Sequence, residues 1–241
     1  ESLSLSLSLS LSASLARAHA MPSPHKDVAN VLYGEDEIAA RVGALAKRIA
    51  ADFAGKRPLI LGVLKGCFMF FSDLCRAVDP VPDGCEVHFV RASSYEGKTT
   101  ESNHSVKLTF LGLDASQLRD RHVIVVEDIV DTGLTMLKIL GALGELGPQS
   151  VTVATLLDKV SRRNLAAAPA TIPFPPRLGS APDPDASEGA NGSAMERKLQ
   201  TYLKYVGFVC PNEFVVGYGL DFNELYRTLP YIGVLKPELY Q

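Results

Sequence analysis

From Glu35 the apolar residues Ile38, Val42, Leu45, Ile49 and Phe53 recur at steps of three and four, the stripe of an amphipathic helix that Gly55 would end. Residues 59–64, 87–90, 123–126 and 151–157 follow a different rule. These are short apolar or β-branched runs with polar flanks, as buried parallel strands are. Helical patterns separate several of them: residues 68–77 follow the first run, and residues 134–146 follow the third and close at Gly147-Pro148. Strand, helix and strand in this order predict an α/β domain with right-handed crossovers and a ligand at the carboxyl ends of its strands. Order returns over residues 195–209, and residues 214–218 and 231–235 each read as a short strand.

Two stretches fall outside this pattern. Residues 1–26 begin with a Leu-Ser alternation from Ser2 to Ser12 and run on to Met21, Pro22 and Pro24, which predicts a disordered or processed leader. Its Ser-rich, acid-poor composition also fits an organelle transit peptide, or translated upstream sequence with Met21 as the start. Residues 164–194, rich in Ala, Pro, Gly, Ser and Asp, read as a mobile insertion within a single domain spanning 27–241.

Charge narrows the partners. Lys and Arg total 24 against 27 Asp and Glu, a net charge of -3, so there is no electrostatic footprint for nucleic acid or an anionic membrane. Small molecules are the expected partners. Cys67, Cys75, Cys85 and Cys210 lack the paired spacing of a zinc site or disulfide framework and read as reduced core thiols, which fits a cytoplasmic location. No apolar run approaches the roughly 18 residues of a membrane-spanning helix.

The segment from Val123 to Thr135 carries the most chemistry: an apolar strand leads into Glu127-Asp128, then Asp131, then Thr132-Gly133-Leu134-Thr135 at the start of a helix. Free N–H groups and the positive dipole end at a helix start suit a phosphate monoester, and the two threonines add hydroxyls. Adjacent carboxylates at a strand end suit vicinal hydroxyls or a metal. The plainer alternative is that Asp131-Thr132 caps the helix and Glu127-Asp128 is a solvated loop edge.

This whole segment resembles the phosphoribosyl pyrophosphate-binding signature of the type I phosphoribosyltransferases, and the chain from about Met21 onward is similar to their hypoxanthine-guanine branch. The resemblance implies a central parallel sheet flanked by helices, with a small hood over the carboxyl ends of its strands. It implies that Glu127, Asp128, Asp131, Thr132, Gly133, Leu134 and Thr135 bind the phosphoribosyl group. Leu64-Lys65-Gly66 matches the pyrophosphate loop, with a non-proline cis peptide before the lysine. Ser94 and Tyr95 match the start of a mobile loop that closes over the reaction centre. Lys159 matches the lysine that donates to the purine C6 oxygen. The run from Phe214 to Arg227 matches the segment in which Phe214 stacks on the purine, Val215 reads its edge through the backbone, Asp221 binds Mg2+ and Arg227 contacts pyrophosphate. Glu127 and Asp128 are further metal candidates, and Asp131 is the candidate general base near purine N7.

The implied reaction transfers the phosphoribosyl group from phosphoribosyl pyrophosphate to hypoxanthine or guanine, giving IMP or GMP and pyrophosphate, in a homodimer or homotetramer. The 164–194 insertion departs from the family pattern. Two alternatives stand beside this reading: a regulator that keeps the sugar-phosphate turn but binds nucleic acid, and an enzyme for xanthine, uracil or adenine. A dinucleotide-binding dehydrogenase is excluded, because Gly141, Gly144 and Gly147 fall within and after a helix.

Overall fold

Strands that must bury both faces need a layer on each side, and the sequence supplies two. The structure, a computed structural model, describes residues 24–94, 106–163, 165, 172–179 and 193–240. Its main sheet has six strands: β2 (Pro58–Leu64), β3 (Glu86–Ser94), β4 (Val106–Leu111), β5 (His122–Val130), β6 (Ser150–Asp158) and β7 (Leu203–Val209). Helices α1 (Glu35–Asp52) and α2 (Phe68–Ala77) put Ile38, Leu45 and Phe70 into one core with Ile60, Ile124 and Tyr205 of the sheet. Helix α3 (Leu134–Gly144) packs Leu137 and Leu140 with Leu59, Leu61, Val123 and Val125 on the other side. Successive residues of β2 and β5 thus alternate between two cores, as the two-residue period of a strand dictates.

The strand order is β4-β3-β2-β5-β6-β7, parallel except for the antiparallel β3–β4 pair. Chain order reverses between β2 and β5, which is where an open α/β sheet leaves a crevice at its carboxyl edge. A second, three-stranded antiparallel sheet joins β1 (Val28–Tyr33), β9 (Ile232–Leu235) and β8 (Val215–Val216). It carries residues from both ends of the chain.

Several boundaries differ from the sequence reading. The third run extends four residues beyond Val126, because the ladder to β6 continues through Glu127↔Thr155, Ile129↔Leu157 and Val130↔Asp158. Glu127 and Asp128 are therefore part of the sheet. The strand expected at 214–218 shrinks to Val215–Val216, since Gly217 (φ 99), Tyr218 (φ 49) and Gly219 (φ 103) leave the extended region. Residues 195–209 divide into a helix, α4 (Ala194–Gln200), and β7. The leader up to residue 23, Tyr95 of the expected loop, and residues 164, 166–171 and 180–192 of the insertion lie outside the described residues. Within the insertion, Val151 N–H donates to the Pro176 carbonyl (2.7 Å) and Phe174 stacks on Tyr202 (centroids 5.6 Å apart). No helix among the described residues is long and apolar enough to cross a membrane. Cys67, Cys75, Cys85 and Cys210 are all unpaired, and burial pushes the Cys75 thiol up to about 12 and the Cys210 thiol to about 11.

Candidate active site

Three neighbouring strands end at the crevice, and each delivers chemistry. β5 leads through Asp131 and Thr132 to Gly133, whose φ of 84 turns the chain into α3. The left-handed backbone favours glycine, and a Cβ at Gly133 would also crowd the side-chain ends Leu199 Cδ2 at 2.7 Å and Arg163 Nη1 at 2.9 Å. The first turn of α3 leaves its N–H groups without partners inside the helix; Leu134 N–H reaches only the Thr132 hydroxyl, at 3.5 Å. This turn, with Val63, Leu64, Ala92, Glu127, Ile129 and Thr135 among its neighbours, lines a cavity of about 320 Å³.

A second cavity of about 460 Å³ is lined by Asp128, Ile129, Asp131, Lys159, Phe214, Val215, Asp221 and Tyr240 among others. Ile129 and Asp131 line both. The register explains how Asp131 and Lys159 meet. Val130 and Asp158 are paired at the ends of β5 and β6, and Lys159 N–H donates to the Val130 carbonyl (3.0 Å), so the next residue of each strand emerges at the same level. Lys159 is buried, and among the described residues its ammonium makes no ion pair. A cation placed so suits an oxygen acceptor supplied from the cavity. Phe214 lines the same cavity, stacked on Tyr240 (4.8 Å, 25°) and edge-on to Phe222 (5.5 Å).

The β2 end supplies the third element. The Leu64–Lys65 peptide is cis, as the resemblance implied. A Cβ at Gly66 would lie 1.5 Å from Asp128 Oδ2, and one at Gly219 would lie 2.0 Å from the Gly66 carbonyl oxygen. The two glycines thus let the Lys65-Gly66 turn pack between β5 and the segment that follows β8. Arg227 is anchored beside it. Its Nη1 donates to the Gly219 carbonyl (2.8 Å), and Nη2 pairs with Asp221 Oδ1 (2.8 Å). Tyr218 holds this segment to α2 by donating its hydroxyl to Asp73 Oδ2 (2.6 Å).

Electrostatics separate the acids. Burial pushes the Glu127 carboxyl well above its ordinary range and the neighbouring Asp128 charge adds to this; burial also raises Asp128, while Arg227 and the Ile129 N–H oppose the rise. Asp131 Oδ1 lies 3.2 Å from Arg162 Nε but in no aligned hydrogen bond, leaving its lone pairs available. Behind the turn, Asp158 and Arg163 form a buried ion pair. Ile129, Arg162, Arg163 and Tyr240 were missed by the sequence reading. Only the arginine pair at 162 and 163, three and four residues after Lys159, carried a signal, as clustered positive charge close to a candidate site residue.

A mostly parallel sheet with a glycine-hydroxyl turn at its switch point defines an open α/β protein of the class that takes ligands at that edge, and residues 31–174 match the family described as "Phosphoribosyl transferase domain". The chain is 36% identical over 215 residues to hypoxanthine-guanine phosphoribosyltransferase of Streptococcus pneumoniae, covering 89% of this chain and 97% of that protein. Hypoxanthine phosphoribosyltransferase of Staphylococcus aureus superposes with a TM-score of 0.66 at 34% identity, covering 90% of this chain and 96% of that one. A Trypanosoma cruzi hypoxanthine phosphoribosyltransferase variant complexed with the product IMP matches at 31% identity and a TM-score of 0.66, over 91% and 97% of the two chains. The chain belongs to the type I phosphoribosyltransferase family, in its hypoxanthine-guanine branch. It also matches the bifunctional protein TilS/HprT of Listeria innocua at 38% identity over 90% of this chain, spanning 28% of that protein's length.

Proposed function

We propose that this protein transfers the phosphoribosyl group of phosphoribosyl pyrophosphate to hypoxanthine or guanine in purine salvage. The observation that carries the reading is two adjoining cavities that share Ile129 and Asp131. The first takes the 5-phosphate on the Thr132–Thr135 turn, with the ribose hydroxyls on Glu127 and Asp128. The second takes the base, between Phe214 and Ile129. Lys159 donates to the C6 oxygen and the Val215 backbone meets the base edge; an ammonium cannot accept from the amino group of adenine, which sets the preference for 6-oxopurines.

Bond breaking at ribose C1 builds positive charge on the sugar and negative charge on the leaving pyrophosphate, so catalysis rests on positioning and electrostatic stabilisation. Lys65, the Gly66 N–H and Arg227 meet the leaving group. Asp131 takes the N7 proton as the bond from N9 to C1 forms. Ser94 stands at the end of β3, where the family match expects a covering loop to start; Tyr95, its other expected member, lies outside the described residues.

Mg2+ fits the donor set. Asp221 offers hard oxygens that keep spare lone pairs beside Arg227, Asp128 lines the same cavity, and Glu127 lines the adjoining one. Mg2+ is commonly bound through one or two carboxylates plus substrate phosphates, a role Asp221 could share with a phosphate-bearing substrate. A bound cation would neutralise charge on the departing pyrophosphate. A homodimer or homotetramer in the cytoplasm completes the proposal.

The test is pyrophosphate release with Mg2+, phosphoribosyl pyrophosphate and each of hypoxanthine, guanine, xanthine, adenine and uracil. Turnover with hypoxanthine or guanine, and little with adenine or uracil, is expected. Silence with every base despite tight phosphoribosyl pyrophosphate binding would overturn the enzyme in favour of a regulator.

A further inference from the structure

Asn223 and Glu224 are the two central residues of a tight turn. Phe222 and Leu225 on either side exchange both backbone hydrogen bonds (3.3 and 3.0 Å), and Asn223 (φ 51) and Glu224 (φ 65) are both left-handed. This is the geometry for which Asn-Gly is the favoured pair. A glutamate in the second place is not what the local backbone prefers, so its side chain is the reason to look further.

That side chain faces the cations. Glu224 Oε2 lies 2.8 Å from Lys65 Nζ and 3.3 Å from Arg227 Nη2, bridging two cations that are far apart in sequence and close in space. The Lys65 hydrogen bond holds the Glu224 carboxyl below the ordinary carboxylate range, and Arg227 adds to the effect. A carboxylate and a pyrophosphate oxygen use the same donors, so one excludes the other. We propose that Glu224 is a displaceable internal competitor for pyrophosphate, occupying Lys65 and Arg227 and setting how tightly the leaving group is held. The proposal rests on the reading of Lys65 and Arg227 as pyrophosphate contacts.

Exposure says which parts move. The side chains of Lys65 and Glu224 are 57% and 63% exposed, so their pairing is solvated and opens at little cost, whereas Arg227 is 17% exposed and fixed by Gly219 and Asp221. Pyrophosphate enters by pushing the Glu224 carboxylate aside. When it leaves, the carboxylate returns and pairs the cations again, which favours release of a highly charged product.

Titration calorimetry of the full chain with inorganic pyrophosphate and Mg2+ tests this on Glu224→Gln, Glu224→Gly and Lys65→Ala. Gln keeps the size and loses the charge, while Gly also relaxes the turn. Both Glu224 variants are expected to bind pyrophosphate about threefold to tenfold more tightly, the scale of one exposed and one partly buried ion pair removed, with IMP affinity unchanged. Unchanged or weaker pyrophosphate binding in both would overturn the proposal, since Glu224 would then be orienting the cations instead of competing for them. Lys65→Ala is expected to weaken pyrophosphate binding; if it does not, the assignment of Lys65 beneath the proposal fails, whatever the Glu224 variants do.

Discussion

Gly66→Ala isolates the contact between the Lys65-Gly66 turn and β5, because Gly66 is not in the left-handed region and alanine meets no backbone penalty there. The added methyl would sit 1.5 Å from Asp128 Oδ2 and 2.6 Å from its Cγ. Ordinary contact needs about 3.5 Å, so turn and carboxylate must separate by about 2 Å. That movement breaks the bond in which Asp128 Oδ1 accepts from Ile129 N–H (2.7 Å). Losing one charge-assisted hydrogen bond costs about 1.5–3 kcal/mol, or roughly 3–12 °C in Tm for a chain of this size. Function should suffer more than stability, since misplacing a reacting group by about 1 Å costs on the order of 100-fold in rate. Pyrophosphate-release kinetics should give kcat/KM for phosphoribosyl pyrophosphate lowered about 100-fold, while the melt stays cooperative. Gly43→Ala, where nothing lies within 4 Å of the new methyl, is the control and should gain up to about 1 kcal/mol with kinetics unchanged. A Gly66→Ala protein retaining kcat/KM within about threefold would refute the assignment of this contact to the reaction.

Three further outcomes are expected. Asp131→Asn should lower kcat by about 10²–10⁴ while phosphoribosyl pyrophosphate binding by calorimetry changes little; equal losses in the two would contradict a general base. Arg163→Leu should destabilise the fold by about 3–5 kcal/mol in urea melts, because it strands the buried Asp158 carboxylate, and the double variant with Asp158→Leu should recover most of that; a double variant no better than the single one would contradict the pairing. Burial pushes the Asp52 carboxyl up, but hydrogen bonds from Lys204 (2.8 Å) and Tyr205 (2.7 Å) outweigh it and leave it lowered. Its stabilisation is therefore present above the ordinary carboxylate range and lost as pH falls through the lowered folded value. Asp52→Asn should cost about 0.5–1 kcal/mol near pH 7 after solvent screening, and the Tm gap to the parent protein should close toward pH 3; a gap independent of pH would contradict this.

What was legible in the sequence was local. The stripe from Ile38 to Ile49, the runs that became β2, β5 and β6, and the turn at Gly133 all carry their periodicity or their acids within one segment. β1 was not legible, because only Val28 of its six residues is buried and no alternation survives. β4, an edge strand held only by β3, was equally silent. The early end of β8 depends on Tyr218, whose left-handed backbone accompanies a hydroxyl bonded to Asp73, 145 residues away. The Lys65–Glu224 contact spans 159 residues, so no spacing within a motif could announce it. Ile129 read as an apolar spacer between acids, and its place in both cavities became visible only when β5 and β6 were set side by side.

A crystal structure of the protein with IMP would show whether the two cavities meeting at Ile129 and Asp131 are the sugar-phosphate and base halves of one site. The 5′-phosphate should lie on the backbone N–H groups of the Thr132–Thr135 turn, the purine ring against Phe214, and Lys159 Nζ within hydrogen-bond distance of the C6 oxygen. IMP bound with its base toward the turn at Gly133, or lodged outside both cavities, would contradict that assignment.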